Sequence, residues 1–202
     1  MNIRIKGKSG LVDTVDTLVE LSMIKDGMNV LDIGCGPGNW MATFINMGLD
    51  ISYHGIDVNK TNLECAIARA GILGAKDFKF SKLNVSNEFY NKLCNIGAYE
   101  VSLPVKDSWA NLVICHSLFT HLELEANSEN YMKEIKRILK VGGYLWITFF
   151  QSPPNDVNYG AKRTVYRREF IDKLMEGFTI IHSHGGESTD KNDQLMMGAI
   201  LK

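Results

Sequence analysis

A hydrophobic segment that runs directly into three alternating glycines constrains this chain more than any other feature. Residues 30–38 read Val-Leu-Asp-Ile-Gly-Cys-Gly-Pro-Gly, and an apolar helical pattern follows them. Glycine allows a tight turn and lets the backbone approach a ligand without a Cβ atom in the way. The first turn of the following helix offers free N–H groups and a partial positive charge. The sequence therefore predicts a strand, a ligand-binding loop and a helix, in that order.

The spacing of the glycines distinguishes between two kinds of nucleotide ligand. A dinucleotide site has the pattern G-x-G-x-x-G, whose third glycine would stand at Asn39. The third glycine is Gly38 instead, and Asp32 precedes the loop. A carboxylate at that position would repel a diphosphate but suits an ammonium group. The pattern D-x-G-x-G-x-G therefore favours a ligand with a charged amino acid end.

A second carboxylate, Asp57, ends the next predicted strand, which covers Ile51–Ile56. A carboxylate at the end of the second strand can accept two hydrogen bonds from a ribose diol. The loop, the spacing and this strand end together predict a ligand that carries a ribose as well as an amino acid.

Strand and helix patterns alternate along the chain, which predicts a sheet of mainly parallel strands with helices on both faces. Seven strands are predicted, and the last two, Phe178–His182 and Gln194–Leu201, have no helix between them. Such a pair forms an antiparallel hairpin, so one strand of the sheet runs in reverse. A length of 202 residues fits one domain. We therefore expect a Rossmann-like α/β fold in a single domain over residues 1–202, with a seven-stranded, mostly parallel sheet.

Charge and composition disfavour several classes of partner. The net charge is −1, so no global field attracts nucleic acid or an acidic membrane. No apolar stretch approaches the ~20 residues that cross a bilayer, and the N-terminal sequence lacks an apolar signal core. The four cysteines form no C-x-x-C pair, which predicts neither a metal site nor disulfides. We expect a cytoplasmic protein without nucleic-acid or membrane partners.

Three segments together resemble the class I S-adenosylmethionine-dependent methyltransferases, over residues from about 11 to 150. The first is the glycine loop, and the second is Leu103–Cys115, which resembles the family's approach to its fourth strand. The third is Tyr131–Gly143, which resembles the helix and turn before the fifth strand. The run Ser117–His121 resembles a subset that acts in sugar and cell-surface glycan biosynthesis. The resemblance implies S-adenosylmethionine as the cofactor.

Carried over position by position, the resemblance also implies which residues bind the cofactor. The glycine loop passes under its methionine part, with Asp32 near the ammonium group. Asp57 binds the ribose hydroxyls and Val58 packs on the adenine. The residues after the third strand lie at the adenine edge, and those that end the fourth strand face the sulfonium. The full set is Asp32, Gly34, Cys35, Gly36, Gly38, Asp57, Val58, Asn84, Val85, Cys115 and His116.

The expected reaction is methyl transfer to a small molecule, on a hydroxyl of a sugar or glycan precursor. Such an acceptor loses a proton as the methyl arrives, and histidine is the natural base near neutral pH. His121 is the candidate, because it lies one helical turn after Ser117 and both can face one cleft. A structural role for His121, in which it satisfies a backbone carbonyl, stays open. Two other functions also stay open: a methyltransferase acting on protein or RNA, and a non-catalytic S-adenosylmethionine-binding protein.

Two loop-like segments flank the expected cleft, residues 1–10 and residues 151–164. Both are rich in Gly, Ser, Pro or Asn and poor in periodic apolar residues. We predict that they close over the acceptor and shield it from water.

Overall fold

A computed structural model describes residues 10–85, 100–122, 125–151, 164–186 and 194–202. The helices in these ranges are α1 (Gly10–Glu20), α2 (Asn39–Asn46), α3 (Lys60–Ile72), α4 (Glu125–Ile138) and α5 (Arg168–Leu174). The strands are β1 (Asn29–Ile33), β2 (Ser52–Asp57), β3 (Phe78–Lys82), β4 (Ala110–Cys115), β5 (Leu139–Gln151), β6 (Val165–Tyr166), β7 (Phe178–His184) and β8 (Leu195–Leu201). No helix within the described ranges is long and apolar enough to cross a membrane. The two segments predicted to close over the acceptor lie almost entirely outside these ranges.

The strands form one sheet in the order β3-β2-β1-β4-β5-β8-β7, with β6 beside β5. β1 to β5 are parallel to one another, whereas β8 is antiparallel to both β5 and β7. The predicted mostly parallel sheet with one reversed strand is therefore confirmed. The chain order reverses between β1 and β4, and ligands of open α/β sheets bind beyond the carboxyl ends of the strands at such a point.

Alternating side chains of each strand fill two apolar clusters, one on each face of the sheet. In β1, Leu31 and Ile33 belong to one cluster and Val30 to the other, as the two-residue period of a strand requires. α3 begins after Asn59, because the Asn59 side chain accepts hydrogen bonds from the N–H groups of Thr61 and Asn62. The glycine loop lies between the buried strand β1 and the helix α2.

The number of strands and the end of α4 differ from the sequence prediction. The sheet has an eighth strand, β6, whose Val165 pairs in parallel with Phe150. A two-residue strand is too short to produce a periodic pattern, so the sequence gives no signal for it. α4 ends at Ile138 rather than at the glycines that follow, because Leu139 already pairs with Ala110 at the start of β5.

Candidate active site

A cavity of about 220 Å³ opens at the carboxyl ends of the central parallel strands. Its wall comes from the segments that follow β1, β2, β3 and β4, with one side chain from α3 and one from α4. The residues at those four strand ends are Ile33, Gly34, Gly36, Ile56, Asp57, Val58, Leu83, Val85, His116, Ser117, Leu118, His121 and Leu122. Asn62 of α3 and Tyr131 of α4 complete the wall. The cavity thus lies at the position that the reversal of strand order predicts.

The glycine loop forms one side of this cavity. Its glycines adopt left-handed conformations, with φ of +52° at Gly36 and +79° at Gly38. Gly36 faces the cavity, where an added Cβ atom would meet no protein atom within 4 Å. An added Cβ at Gly38 would lie 2.9 Å from Met41 Cε and 3.2 Å from the Cβ of Ala66 in α3. Gly36 therefore leaves space for a ligand, whereas Gly38 allows the helices α2 and α3 to approach each other.

Asp57 connects the end of β2 to the glycine loop. Its Oδ2 accepts a hydrogen bond from the Gly36 N–H at 2.8 Å, and its Oδ1 accepts one from the Asn59 N–H at 2.7 Å. The side chain also lines the cavity, where it is the one formally charged group among the described lining residues. A carboxylate has about four lone-pair sites, so Asp57 can still accept hydrogen bonds from ligand hydroxyls.

Asp32 lies behind the glycine loop rather than in the cavity wall. The side chain is 1% exposed, and its Oδ2 accepts a hydrogen bond from the Tyr53 hydroxyl at 2.6 Å. Burial raises the pKa of this carboxyl to about 7, and the charge of Asp57 raises it further, while the Tyr53 hydrogen bond acts in the opposite direction. The structure therefore places Asp32 beneath the glycine loop without exposure to the cavity.

The structure divides the other predicted cofactor residues into two groups. Those in the cavity wall are Gly34, Val58, Val85 and His116, together with the candidate base His121. Those outside the wall are Cys35, Gly38, Asn84 and Cys115. Both cysteines are buried, and burial raises the pKa of each thiol, so they are neutral groups that pack beneath the cavity.

His116 gives the cavity wall an unpaired polar atom. Its buried Nδ1 has no hydrogen-bond partner among the described residues, and burial lowers the pKa of the imidazole. The ring meets the indole of Trp40 at a centroid distance of 5.7 Å in an edge-on arrangement. A neutral imidazole with one unused nitrogen suits a polar group of a ligand in the cavity.

The segment Ser117–Leu122 forms the opposite wall, and its main chain is held from several directions. Ser117 has a φ of +57°, and its N–H donates to Thr148 Oγ1 at 2.8 Å. A short 3-10 helix, Phe119–His121, follows it. Thr164 donates from its N–H to the Thr120 carbonyl and from its hydroxyl to the Leu122 carbonyl. These bonds fix the wall that carries His121.

Sequence reasoning missed Tyr53, Tyr131 and Tyr166, which contribute to the site from beneath or beside it. Tyr53 reaches Asp32 because β1 and β2 pair in a register that places Val30 beside Tyr53. That register is a property of two paired strands, and neither strand reveals it alone. Tyr131 belongs to α4, and a helical pattern alone does not reveal that its side chain reaches the cavity.

A model of a methyltransferase domain matches residues 24–194. The chain belongs to the class I S-adenosylmethionine-dependent methyltransferases. S-adenosylmethionine is accordingly the cofactor of this methyltransferase domain, and the glycine loop, the ribose-competent Asp57 and the unpaired His116 nitrogen fit such a ligand.

Similar proteins agree on the fold and differ in their reactions. The probable mRNA-capping enzyme of Acanthamoeba polyphaga mimivirus is 29% identical over 145 residues, which cover 62% of this chain but 12% of the viral protein. The structure of the [4+2]-cyclase SpnF superimposes with a TM-score of 0.71 at 17% identity, covering 94% of this chain and 81% of SpnF. Magnesium protoporphyrin IX methyltransferase from Synechocystis, solved with bound S-adenosylmethionine, gives 0.66 at 17% identity, covering 96% and 79%. At these identities the likeness of the two structures establishes the fold alone.

Proposed function

We propose that this methyltransferase domain transfers the methyl group of S-adenosylmethionine to a hydroxyl of a small-molecule acceptor, such as a sugar or glycan precursor. The observation that carries the proposal is one cavity that the glycine loop, Asp57 and His121 share. The cofactor supplies an electrophilic methyl group on a sulfonium when bound. The chain must therefore bind the cofactor, orient the acceptor oxygen and provide a place for its proton.

Cofactor binding is assigned to residues on the β1–β3 side of the cavity. Gly34 and Gly36 would let the methionine part pass over the loop, since Gly36 leaves open space where a side chain would project. Asp57 would accept hydrogen bonds from the ribose hydroxyls, while Val58 and Val85 would pack on the adenine. Cys35, Gly38, Asn84 and Cys115 lie outside the wall, so we assign them support of this surface rather than contact.

The acceptor side is assigned to the wall after β4. His116 would face the sulfonium region, because it directly follows β4, the strand that pairs with β1, and lines the cavity. His121 also lines the cavity, from a 3-10 helix in which the His121 N–H donates to the Leu118 carbonyl and the Phe119 and Thr120 carbonyls both accept hydrogen bonds. A base on such a fixed turn would take the hydroxyl proton as the acceptor oxygen bonds to the methyl carbon.

The first experiment measures transfer of labelled methyl from S-adenosylmethionine to a panel of hydroxyl-bearing sugars. We expect His121→Gln to lower turnover by about 10²- to 10⁴-fold with little change in cofactor affinity. His184→Gln is the matched control, because His184 is exposed on β7 and does not line the cavity. Equal turnover of the two variants would contradict the role of His121 as base. A loss of folding stability with normal turnover would assign His121 the structural role.

RNA is the second candidate acceptor, since the viral relative is named a probable mRNA-capping enzyme. The same labelled assay with RNA and with protein substrates distinguishes the candidates. Transfer of the labelled methyl group to RNA and to no sugar would refute the small-molecule proposal in favour of an RNA acceptor. Cofactor binding without label in any acceptor class would favour a binding protein that lacks catalysis.

A further inference from the structure

The hydrogen bond between Tyr53 and Asp32 is the strongest feature that the proposed reaction leaves unexplained. Both side chains are 1% exposed, and the hydroxyl lies 2.6 Å from Asp32 Oδ2. Tyr53 is the one residue in the described part of the chain that gives the Asp32 carboxyl a hydrogen bond. The ring is held by Phe78 and Phe80 of β3, at centroid distances of 5.2 and 6.0 Å. A buried acid is therefore fixed directly beneath the glycine loop.

Burial and a neighbouring charge oppose the ionisation of Asp32. Tyr53 and Asp57 face it from β2, Cys35 from the glycine loop and Cys115 from β4. None of these groups is a cation, and Asp57 adds a like charge. Burial is the largest cause of the raised pKa of Asp32, and the Tyr53 hydroxyl partly offsets it by donating to the carboxylate. The acid is thus poised to exist in both protonation states near neutral pH.

A cation bound at the glycine loop would change this balance. The α-amino group of the cofactor is that of a free amino acid, so it arrives as an ammonium at neutral pH and below. Asp32 precedes Gly34, a residue of the cavity wall, by two positions. A positive charge close to a buried carboxyl favours its ionised form. By linkage, ionised Asp32 must then favour binding of the ammonium group by the same factor.

We propose that Tyr53 is a positioning residue that holds Asp32 as a buried acid, and that this acid releases one proton to solvent when the amino acid end of the cofactor binds. Cofactor affinity then rises with pH, because the free protein must lose a proton that the complex does not carry. The bond that breaks is the O–H bond of the Asp32 carboxyl, and the negative charge that remains on the buried carboxylate attracts the ammonium group across the glycine loop. This coupling does not depend on the identity of the acceptor.

Calorimetry of two ligands between pH 5.5 and 7.5 tests the proposal. S-adenosylhomocysteine carries the ammonium end, whereas methylthioadenosine lacks the whole amino acid. With the acid titrating near pH 7, affinity for S-adenosylhomocysteine should rise by about fivefold or more from pH 6 to pH 7.5. Methylthioadenosine should bind with little dependence on pH. Titrations in two buffers of different ionisation enthalpy should show close to one proton released per S-adenosylhomocysteine at pH 6.

Variants of Asp32 and Tyr53 test which residue releases the proton. Asp32→Asn should abolish both the pH dependence and the proton release. Tyr53→Phe removes the hydrogen-bond donor that favours the carboxylate. The rise of affinity for S-adenosylhomocysteine should therefore occur at higher pH in this variant, and its affinity at pH 7 should fall by about tenfold. Tyr144→Phe is the matched control, because Tyr144 is half-buried on β5 and does not line the cavity.

Several outcomes would overturn the proposal. An equal pH dependence for both ligands, or one that persists in Asp32→Asn, would assign the proton to another group. A Tyr53→Phe profile identical to that of wild type would remove Tyr53 from the coupling. If neither variant folds, proton release by the wild-type protein still decides, because no release with S-adenosylhomocysteine refutes the coupling. Failure of any of these tests leaves the assignment of a sugar hydroxyl acceptor untouched, since no acceptor is present.

Discussion

Replacing Tyr166 with Phe removes one buried hydroxyl that supports the acceptor-side wall of the cavity. The hydroxyl donates to the Phe119 carbonyl at 2.7 Å, and the Ser128 hydroxyl of α4 lies 2.8 Å from it. A longer contact of 3.4 Å reaches the Leu122 carbonyl. Tyr166 is 3% exposed and its ring packs on Phe149, so the Phe ring fills the same space and only the polar contacts change.

The expected loss in the free energy of unfolding depends on which hydrogen bonds the former partners of the Tyr166 hydroxyl keep. The Phe119 carbonyl still accepts from the Leu122 N–H at 3.2 Å, and the Leu122 carbonyl still accepts from the Thr164 hydroxyl at 2.7 Å. Ser128 is fully buried and loses its one hydrogen-bond partner among the described residues. A stranded buried hydroxyl costs about 1–3 kcal/mol of the free energy of unfolding. Ser128→Ala leaves Tyr166 bonded to Phe119, so that change should cost about 0.5–1.5 kcal/mol.

Urea unfolding of wild type, both single variants and the double variant measures this difference. The double variant should be destabilised by less than the sum of the single variants, because no hydroxyl is then stranded; the coupling should be about 1 kcal/mol. Tyr166→Phe should also lower methyl transfer more than it lowers affinity for S-adenosylhomocysteine, since the wall that carries His121 loosens. Strictly additive costs, or a loss below about 0.5 kcal/mol for Tyr166→Phe, would refute the reasoning.

Three further predictions concern the loop, an ion-pair network and a buried histidine. Gly36→Val should abolish S-adenosylhomocysteine binding in calorimetry, because a branched side chain would enter the cavity from a residue with φ of +52°; unchanged affinity in a folded variant would contradict the site. Arg137→Met should lower the free energy of unfolding by about 2–4 kcal/mol, since it removes the cation that pairs with Glu134, which is 7% exposed and keeps only its hydrogen bond from the Leu103 N–H; Arg168→Met, at an exposed ion pair, should change it by less than about 0.5 kcal/mol. Burial lowers the pKa of His54 to about 4, below its value of 6.5 in the unfolded chain, so the unfolded state binds the proton more readily between these values. The stability of wild type relative to His54→Gln should therefore rise with pH from 4 to 6.5, by up to about 3 kcal/mol, and a flat difference would refute the burial of a neutral imidazole.

Features that depend on short stretches of chain were predictable from the sequence. The glycine loop and the Asn59 cap each arise from backbone groups within a few residues of one another, so residue type and spacing identify them. The reversed strand β8 was predictable because a short connection leaves two strands only an antiparallel pairing.

Features that depend on contacts between distant segments of the chain were not predictable from the sequence. Tyr166 supports the cavity wall through carbonyls more than 40 residues earlier in the chain, and the sequence offers only an aromatic residue before a helix. Asp32 was expected near the ammonium group. In the structure it is buried and accepts a hydrogen bond from the Tyr53 hydroxyl, which belongs to the neighbouring strand β2. Register and packing decide such contacts, and a single sequence specifies them only through the complete fold.

The position of β8 has a consequence for how the molecule opens. β7 precedes β8 in the chain but reaches the rest of the sheet only through it, because β8 lies between β5 and β7. An isolated two-stranded hairpin is only marginally stable in water, so a fluctuation that detaches β8 from β5 should also open the pairing between β8 and β7. We therefore expect the amide protons of β7 to exchange at least as fast as those of β8. The β7–β8 hairpin should therefore behave as one cooperative unit in native-state hydrogen exchange. It is attached to the parallel part of the sheet by the pairing of β8 with residues Tyr144 to Phe149 of β5.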